Sequence, residues 1–479
     1  MPKPFDFGKI ELEAGPQTQA ATLPDSETPF RILLLGDFSG RAQRAPRPSE
    51  PPLAARRPVA VDRDNFDAVL RQMAPSLQLG PHLTLQFREL DDFHPDRIYA
   101  SLEIFRRLRS AREKLADART FSLAAEELGL RPPPQPAPDV AQLASGSLLE
   151  EAVEAAEARG AAGRAADPLA EYVRRLVAPY LQPRPDPKQK EILAQVDAAV
   201  GGLMRALLHQ PAFQALEAAW RGVFFLVRRL ETDGRLRIYL LDLSKQELAA
   251  ELSAGEPMAG GLYRLLVEQA IGTLGGEPWS VVAGNYVFEQ TRQDAALLAR
   301  LAKLASQAGA PFLAEAGAEP AQAGAAEAWS ALRAMPEAAW IGLALPRFLL
   351  RLPYGRRTDP IEAFEFEEMP ESPPHQWYLW GNPAFACVYL LGRAFQNWGW
   401  EMRPGMVQDI DGLPAHFYQE EGETKMKPCA ELLLSMEAVE EILETGFMPL
   451  ISMKNRDQVR LARFQSIARP PRPLAGPWR

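Results

Sequence analysis

The placement of proline constrains this chain more than any other feature. Its 44 prolines gather in runs. Such a run continues neither a helix nor a central strand, because proline lacks an amide donor and fixes φ. The stretch from Arg41 to Pro58 is rich in Pro and Arg and reads as an exposed loop. The run RPPPQPAPD at 131–139 is stiff and extended, PRPDP at 183–187 closes an Ala/Glu-rich helical stretch (140–182), and ARPPRPLAGPWR reads as a disordered tail. These breaks predict a first unit over 1–125, a helical, Pro-bounded connector over 126–190, a second unit over 191–465 and a tail over 466–479. A chain of 479 residues has room for two to three domains.

Within the first unit, FRILLLGDFSGR is an apolar run ending in Gly-Asp, as a buried strand entering a turn would be. DRDNFDAVLRQMAP has the acidic first turn and proline stop of a helix. Leu83, Leu85 and Phe87 alternate with polar residues like a half-buried strand, and IYASLEIFRRLRSAREKL has one apolar and one basic face. The second unit opens on a long amphipathic helix with Phe213, Leu216, Trp220, Phe224 and Val227 on one face. On the same helix Glu217 and Arg221 stand one turn apart, a pair contributing ~0.3 kcal/mol if exposed. LRIYLLDL alternates as a strand, Ser244 precedes Glu247 by three residues as in a capping box, and WSVVAG and WIGLAL read as further strands. The fold class is therefore mixed α/β (α+β), as two packed modules joined by the connector.

The charge of −9 and pI near 5.4 oppose broad nucleic-acid binding and attachment to an anionic membrane. No apolar run is long enough to span a bilayer, and the N-terminus lacks a signal peptide's apolar segment. Two cysteines imply no disulfide framework and suit a reducing compartment, so a cytoplasmic location is expected.

Little in the sequence points to catalysis. GDFSGR follows a strand as a phosphate loop would, but it lacks the Gly-Lys-Ser/Thr ending, and Arg41 does not replace that lysine. A tight turn is the plainer reading. None of the five histidines stands four residues from another or near a Cys pair, so no metal pattern forms. In DDFHPD, around His94, the aspartates read as caps of a helix starting near Pro95. Cys387 sits in the apolar AFACVYLLG as a packed thiol. Cys429 is reactive only if the fold brings His416 to it. FEFEEMPE at 364–371 reads as a solvated charged loop. No catalytic residue, cofactor or metal is expected.

Taken together, several segments resemble the two contractile-sheath proteins of type VI secretion. PFRILLLGDFSGR, PVAVDRDNFDAVL and FRELDDFHPD, within residues 30–115, are similar to the small subunit, TssB (VipA). From about residue 190 the chain is similar to the large subunit, TssC (VipB), through HQPAFQALEAAWRGVFFLV, LRIYLLDLSKQEL, GGEPWSVVAGNYVF, ALPRFLLRLPYG, FEFEE, WGNPAFA, WGW, DGLPAHF and ETGFMPL. The resemblance implies a structural subunit that assembles helically with sheath subunits of its own or TssB/TssC type around an inner tube. It also implies a baseplate partner and an AAA+ unfoldase that dismantles the spent sheath. Exchanged strands stitch such protomers, so Phe5, Phe7, Ile10 and Leu12 of FDFGKIELEAG mark a candidate donor strand, the other reading being a frayed terminus. Trp220, Arg221, Arg347, Arg351 and Trp380 lie in the matched motifs and, with Glu217, are candidate packing or assembly anchors.

Three departures accompany the resemblance. The two families are fused here, only a short helix and a Pro-rich tail follow ETGFMPL, and Gly309 stands where the family often has histidine. The shortened end suggests an alternative role, an accessory module that caps or regulates a sheath or baseplate without polymerising.

Overall fold

A computed structural model of the chain describes residues 24–44, 51–80, 83–116, 189–254, 260–273, 275–318, 324–371 and 373–478. The expected connector and the candidate donor strand with Phe5, Phe7, Ile10 and Leu12 lie outside these residues, apart from 189 and 190. The first part contributes β1 (Phe30–Gly36), β2 (Val59–Val61), helix α1 (Phe66–Met73), the hairpin β3 (Ser76–Gly80) and β4 (Leu83–Gln86), and helices α2 (Pro95–Ser101) and α3 (Glu103–Ala116). The second part begins with α4 (Gln189–Leu208), α5 (Pro211–Arg229), β5 (Leu236–Asp242), α6 (Lys245–Ser253), β6 (Val281–Phe288), α7 (Arg292–Ala308), β7 (Phe312–Ala316), α8 (Ala326–Ala334) and β8 (Ile341–Leu345). It continues with β9 (Phe348–Leu349), β10 (Trp380–Gly381), α9 (Pro383–Trp398), β11 (Asp409–Ile410), β12 (Phe417–Glu420), β13 (Glu423–Met426), α10 (Met436–Glu444), β14 (Met448–Ser452) and β15 (Val459–Leu461).

One nine-stranded sheet, ordered β11-β15-β14-β8-β7-β6-β1-β5-β2, organises both parts. Strand β1 lies between β5 and β6 and is parallel to both, with Phe30 opposite Leu236 and Ile32 opposite Val281. Its apolar run, Ile32 to Leu35, follows from this position. Phe30, Ile32 and Leu34 face one core with α5 and α9, while Leu33 and Leu35 face a second core with α6 and α7. A strand covered on both faces needs apolar residues throughout. The two parts thus meet by sharing a sheet, not by setting one finished core against another.

The amphipathic reading of α5 is borne out and extended: Phe213, Leu216, Trp220 and Val227 are buried, Phe224 is half-buried, and Val223 and Leu226 are buried as well. The capping box of α6 is formed, with Ser244 Oγ accepting from Glu247 N at 3.1 Å and Glu247 Oε2 accepting from Ser244 N at 2.9 Å. Gly309 ends α7 at φ 65, the left-handed position that glycine takes without strain.

Several expectations are corrected. The helix after Pro95 is broken at Leu102, which is extended. Its cap is His94 itself, whose Nδ1 accepts from Asp96 N at 3.2 Å, while Asp92 boxes with Glu89 on the preceding turn. The alternation over Leu83, Leu85 and Phe87 does mark a strand, Leu83–Gln86, which pairs with β3 in a sheet of its own. Arg41 and Arg56, assigned to an exposed loop, instead reach inward to the Asp242–Glu247 region. The tail is not disordered. Ile467 N bonds to Ile341 O at 3.0 Å and Ala475 N to Ala339 O at 2.8 Å, and Ile467, Leu474 and Trp478 are buried. Its prolines made it poor in donors, but these three side chains supply an apolar anchor.

Candidate functional site

Three clusters of charge stand inside or beside this frame. The first is the turn after β1. Asp242 accepts from Phe38 N and Ser39 N at 2.9 and 3.1 Å, and Asp37 accepts from Arg41 N and Ala42 N at 2.7 and 2.9 Å. A phosphate-binding loop needs such amides free for its ligand. Here two carboxylates of the chain already hold them. At Gly40, with φ 74, a Cβ would meet Ser76 O at 2.3 Å, so the turn is also tight. Trp220 closes it from α5, donating from Nε1 to Phe38 O at 2.8 Å and meeting the Phe38 and Phe66 rings edge-on.

The second cluster lies inside the protein, with Arg221 half-buried and its other members buried. Arg351 donates to Glu217 Oε1 from Nε at 2.8 Å and grips Glu368 with Nη1 and Nη2 at 2.7 and 3.0 Å. Arg221 adds a bond to Glu217 Oε1 at 2.7 Å and another to the Tyr354 hydroxyl at 3.0 Å. The Glu217–Arg221 pair is therefore part of an interior network, not the exposed pair whose contribution would be small. Tyr354 N donates to Glu368 Oε2 at 2.7 Å, and the Arg351 guanidinium lies 4.2 Å from the Tyr354 ring centre. His209, in the elbow between α4 and α5, stacks on Trp377 and bonds Glu368 Oε1 through Nε2 at 3.2 Å, which leaves its buried Nδ1 without a partner.

Burial alone would raise the Glu368 carboxyl, but Arg351 and His209 outweigh it and bring the value down to about 2. The same burial would lower Arg351, and the two carboxylates hold it well above its ordinary value instead. The His209 ring is pushed down by burial against the opposing pull of Glu368.

This cluster also fastens the first part. His94 meets the Tyr354 ring edge-on at 4.9 Å, and Asp96 accepts from Glu362 N and Ala363 N at 3.1 and 2.9 Å. Residues 351–368 therefore form a strap, gripped from one side by α5 and His209 and from the other by α2.

The third cluster lies beyond the ends of β7 and β8. Arg347 binds Glu431 through Nε at 2.8 Å and again through Nη2, and stands 3.8 Å from Glu315. Burial raises the Glu315 carboxyl to about 8, Arg347 offsetting only part of it. Trp380 is buried nearby, donating to His375 O at 3.2 Å.

Glu217, Trp220, Arg221 and Arg351 thus converge around α5, Trp380 lies on the short strand β10 that also packs against α5, and Arg347 belongs to the separate Glu431–Glu315 cluster. Sequence reasoning missed His209 and Glu368. A signal for Glu368 was present: along FEFEE, Phe366 and Glu368 are buried while Glu365 and Glu367 are exposed. The alternation of an extended segment put Glu368 on the inner side. Cys387 and Cys429 are buried thiols, raised by burial to about 12 and about 11. Among the described residues no group of three His, Cys, Asp or Glu is placed to hold a metal, and no single helix is long and apolar enough to cross a membrane.

Two family models match the chain in the order of its parts. The type VI secretion system VipA model covers residues 9–128, and the VipB model, for the tail sheath N-terminal domain, covers 190–327 and 321–468. Among individual relatives, the type VI secretion system sheath protein TssC1 of Pseudomonas aeruginosa PAO1 is 34% identical over 310 residues, 59% of this chain and 61% of that protein. Sheath protein TssB1 of the same strain is 29% identical over 126 residues, 23% of this chain and 70% of that protein. The chain thus spans 61% of the length of TssC1.

Proposed function

The chain belongs to the type VI secretion sheath family, and on that footing we propose that it is a structural subunit of a contractile sheath. One polypeptide supplies the parts that its relatives TssB1 and TssC1 carry on two. The observation that carries this reading is the position of β1. A strand from the VipA-matching part sits between two strands of the VipB-matching part, so the two regions form one folding unit. In this reading the partners are further copies of the chain or TssB/TssC-type subunits, with an inner tube, a baseplate and an AAA+ unfoldase as the family's wider set. No catalytic step is part of it, and the work is done by assembly and release of stored strain. Exchange of the strand around Phe5, Phe7, Ile10 and Leu12 would join protomers by main-chain hydrogen bonds.

Negative-stain electron microscopy of the purified chain, alone and mixed with TssB/TssC-type subunits, tests the proposal. Tubes, rings or mixed sheaths are the expected result. A monodisperse monomer that ignores sheath subunits would overturn it, and particles that bind sheath ends without growing would make the chain a cap.

A further inference from the structure

The chain enters its central sheet along the wall of a groove. Phe30 N donates to Arg235 O at 2.6 Å, Trp400 Nε1 donates to Thr28 O at 2.7 Å, and Thr28 N closes a turn on Asp25 O at 2.9 Å. Pro24 and Ser26 thereby line the groove, which holds about 590 Å³ and is bounded further by Arg235, Trp398, Trp400 and Glu401.

Trp398 is 42% exposed, the largest of the exposed apolar side chains among the described residues. Its surroundings are fixed. Helix α9 ends beside it at Gly399, with φ 57, and Trp400 packs on the Phe30 and Phe395 rings at 5.6 and 5.2 Å. Gln396 Nε2 donates to Glu231 O at 3.0 Å. Asn397 is exposed next to the indole, and no described group bonds its amide. A held indole beside such an amide suits an extended apolar segment, whose ring stacks while its main chain pairs with the amide.

We infer that the occupant is the chain's own N-terminal segment, with Phe5 and Phe7 of FDFGKIEL laid on Trp398. The tether selects it. Residues 1–23 join the fold at Pro24, on the groove's own wall. About 17 residues separate Phe7 from Pro24, a coil spanning roughly 20–25 Å, with the turn dipeptide Gly15-Pro16 midway. Such a tether holds the segment at an effective concentration in the millimolar range, above what an untethered competitor reaches. Phe5 and Phe7 share a face when extended, so both can meet the indole side. Charge plays little part. The groove carries Arg235 and Glu401, and the segment carries both Lys3 and Lys9 and Asp6, Glu11 and Glu13.

The contact stands on the groove and the tether, and its meaning rests on the sheath reading. A segment assigned to exchange between protomers is held on its own chain until a neighbour displaces it.

Photocross-linking of the full chain tests the contact, with p-benzoylphenylalanine in place of Phe7. Heavy-isotope-labelled and unlabelled chains are irradiated as an equal micromolar mixture. Cross-links should fall on residues 396–401 of the same chain, at a yield unchanged by salt. Trp398→Ser should lower that yield about fivefold or more. Phe5→Ser/Phe7→Ser, remote from the described fold, should speed hydrogen exchange over 396–401. Links that join labelled to unlabelled chains, land elsewhere, or survive Trp398→Ser overturn the contact, as does unchanged exchange in the double variant. Trp398→Ser should also shorten the lag before assembly, read by light scattering, and an unchanged lag overturns the resting state. Tubes from a chain that gives no such cross-link leave the sheath role standing. A cross-linked chain that neither forms tubes nor joins sheath subunits ends the resting state together with that role.

Discussion

Removing the Arg351 guanidinium leaves Glu368 buried without a cation and Glu217 with Arg221 alone. Arg351→Met should therefore cost about 3–5 kcal/mol, read from urea unfolding. Neutralising the carboxylates as well, with Glu217→Gln and Glu368→Gln, should recover much of that loss, since a matched apolar or neutral set avoids the desolvation of three charges. The pH dependence follows from Glu368. Its folded value, about 2, lies below its ordinary 4.5, so its contribution is full above pH 4.5 and is lost as pH falls from there toward 2. Glu315 has the opposite sign. Raised from 4.5 to about 8, it favours the fold fully below pH 4.5 and loses that contribution as pH rises to 8. Glu315→Gln should raise the melting temperature at pH 8 and flatten the alkaline limb; an unchanged alkaline limb would refute the assignment. Of the buried cluster, Glu217, Arg221 and Arg351 stood out in the sequence because they lie in long, distinctive motifs. His209 and Glu368 lie in quoted motifs too, but they meet across a separation of 159 positions and neither side chain has a partner within a turn of its own segment to mark it.

Elements were legible where their signals are local. The Ser244–Glu247 box, the acidic start of α1 and the alternation of β5 each depend on residues within a turn or two, and each is formed. Ser244→Ala should accordingly cost about 1 kcal/mol in thermal unfolding. What was hidden depends on distant surfaces. The apolar anchors of the tail matter only because β8 and its preceding turn offer a groove of backbone acceptors. The crossing of α5 over α9 is likewise non-local: a Cβ on Gly222 would come within 2.5 Å of the Phe385 ring. Gly222→Ala should cost about 1–3 kcal/mol through overpacking, and a compensating Phe385→Leu should return part of it.

For the whole molecule, the proline clusters suggested where the chain would divide but carried no sign that residues on either side share a sheet. Parallel pairing across 200 residues leaves no trace in local composition, and β1 reads equally well as the centre of its own small sheet. A protease site placed between residues 117 and 188 should, once cut, leave two fragments that elute together on size exclusion, because the β1 register and the strap at 351–368 hold them. Separately expressed fragments should be insoluble, the first stripped of both neighbours of β1 and the second with a gap between β5 and β6. The same central strand sets a timetable for synthesis. Phe30 leaves the ribosome long before Leu236, and at about 5–20 residues per second its apolar run waits roughly 10–40 s for the first of its neighbours. During that interval the nascent chain exposes an apolar run that its later neighbours will cover, so its first vulnerable moment precedes any encounter with another subunit.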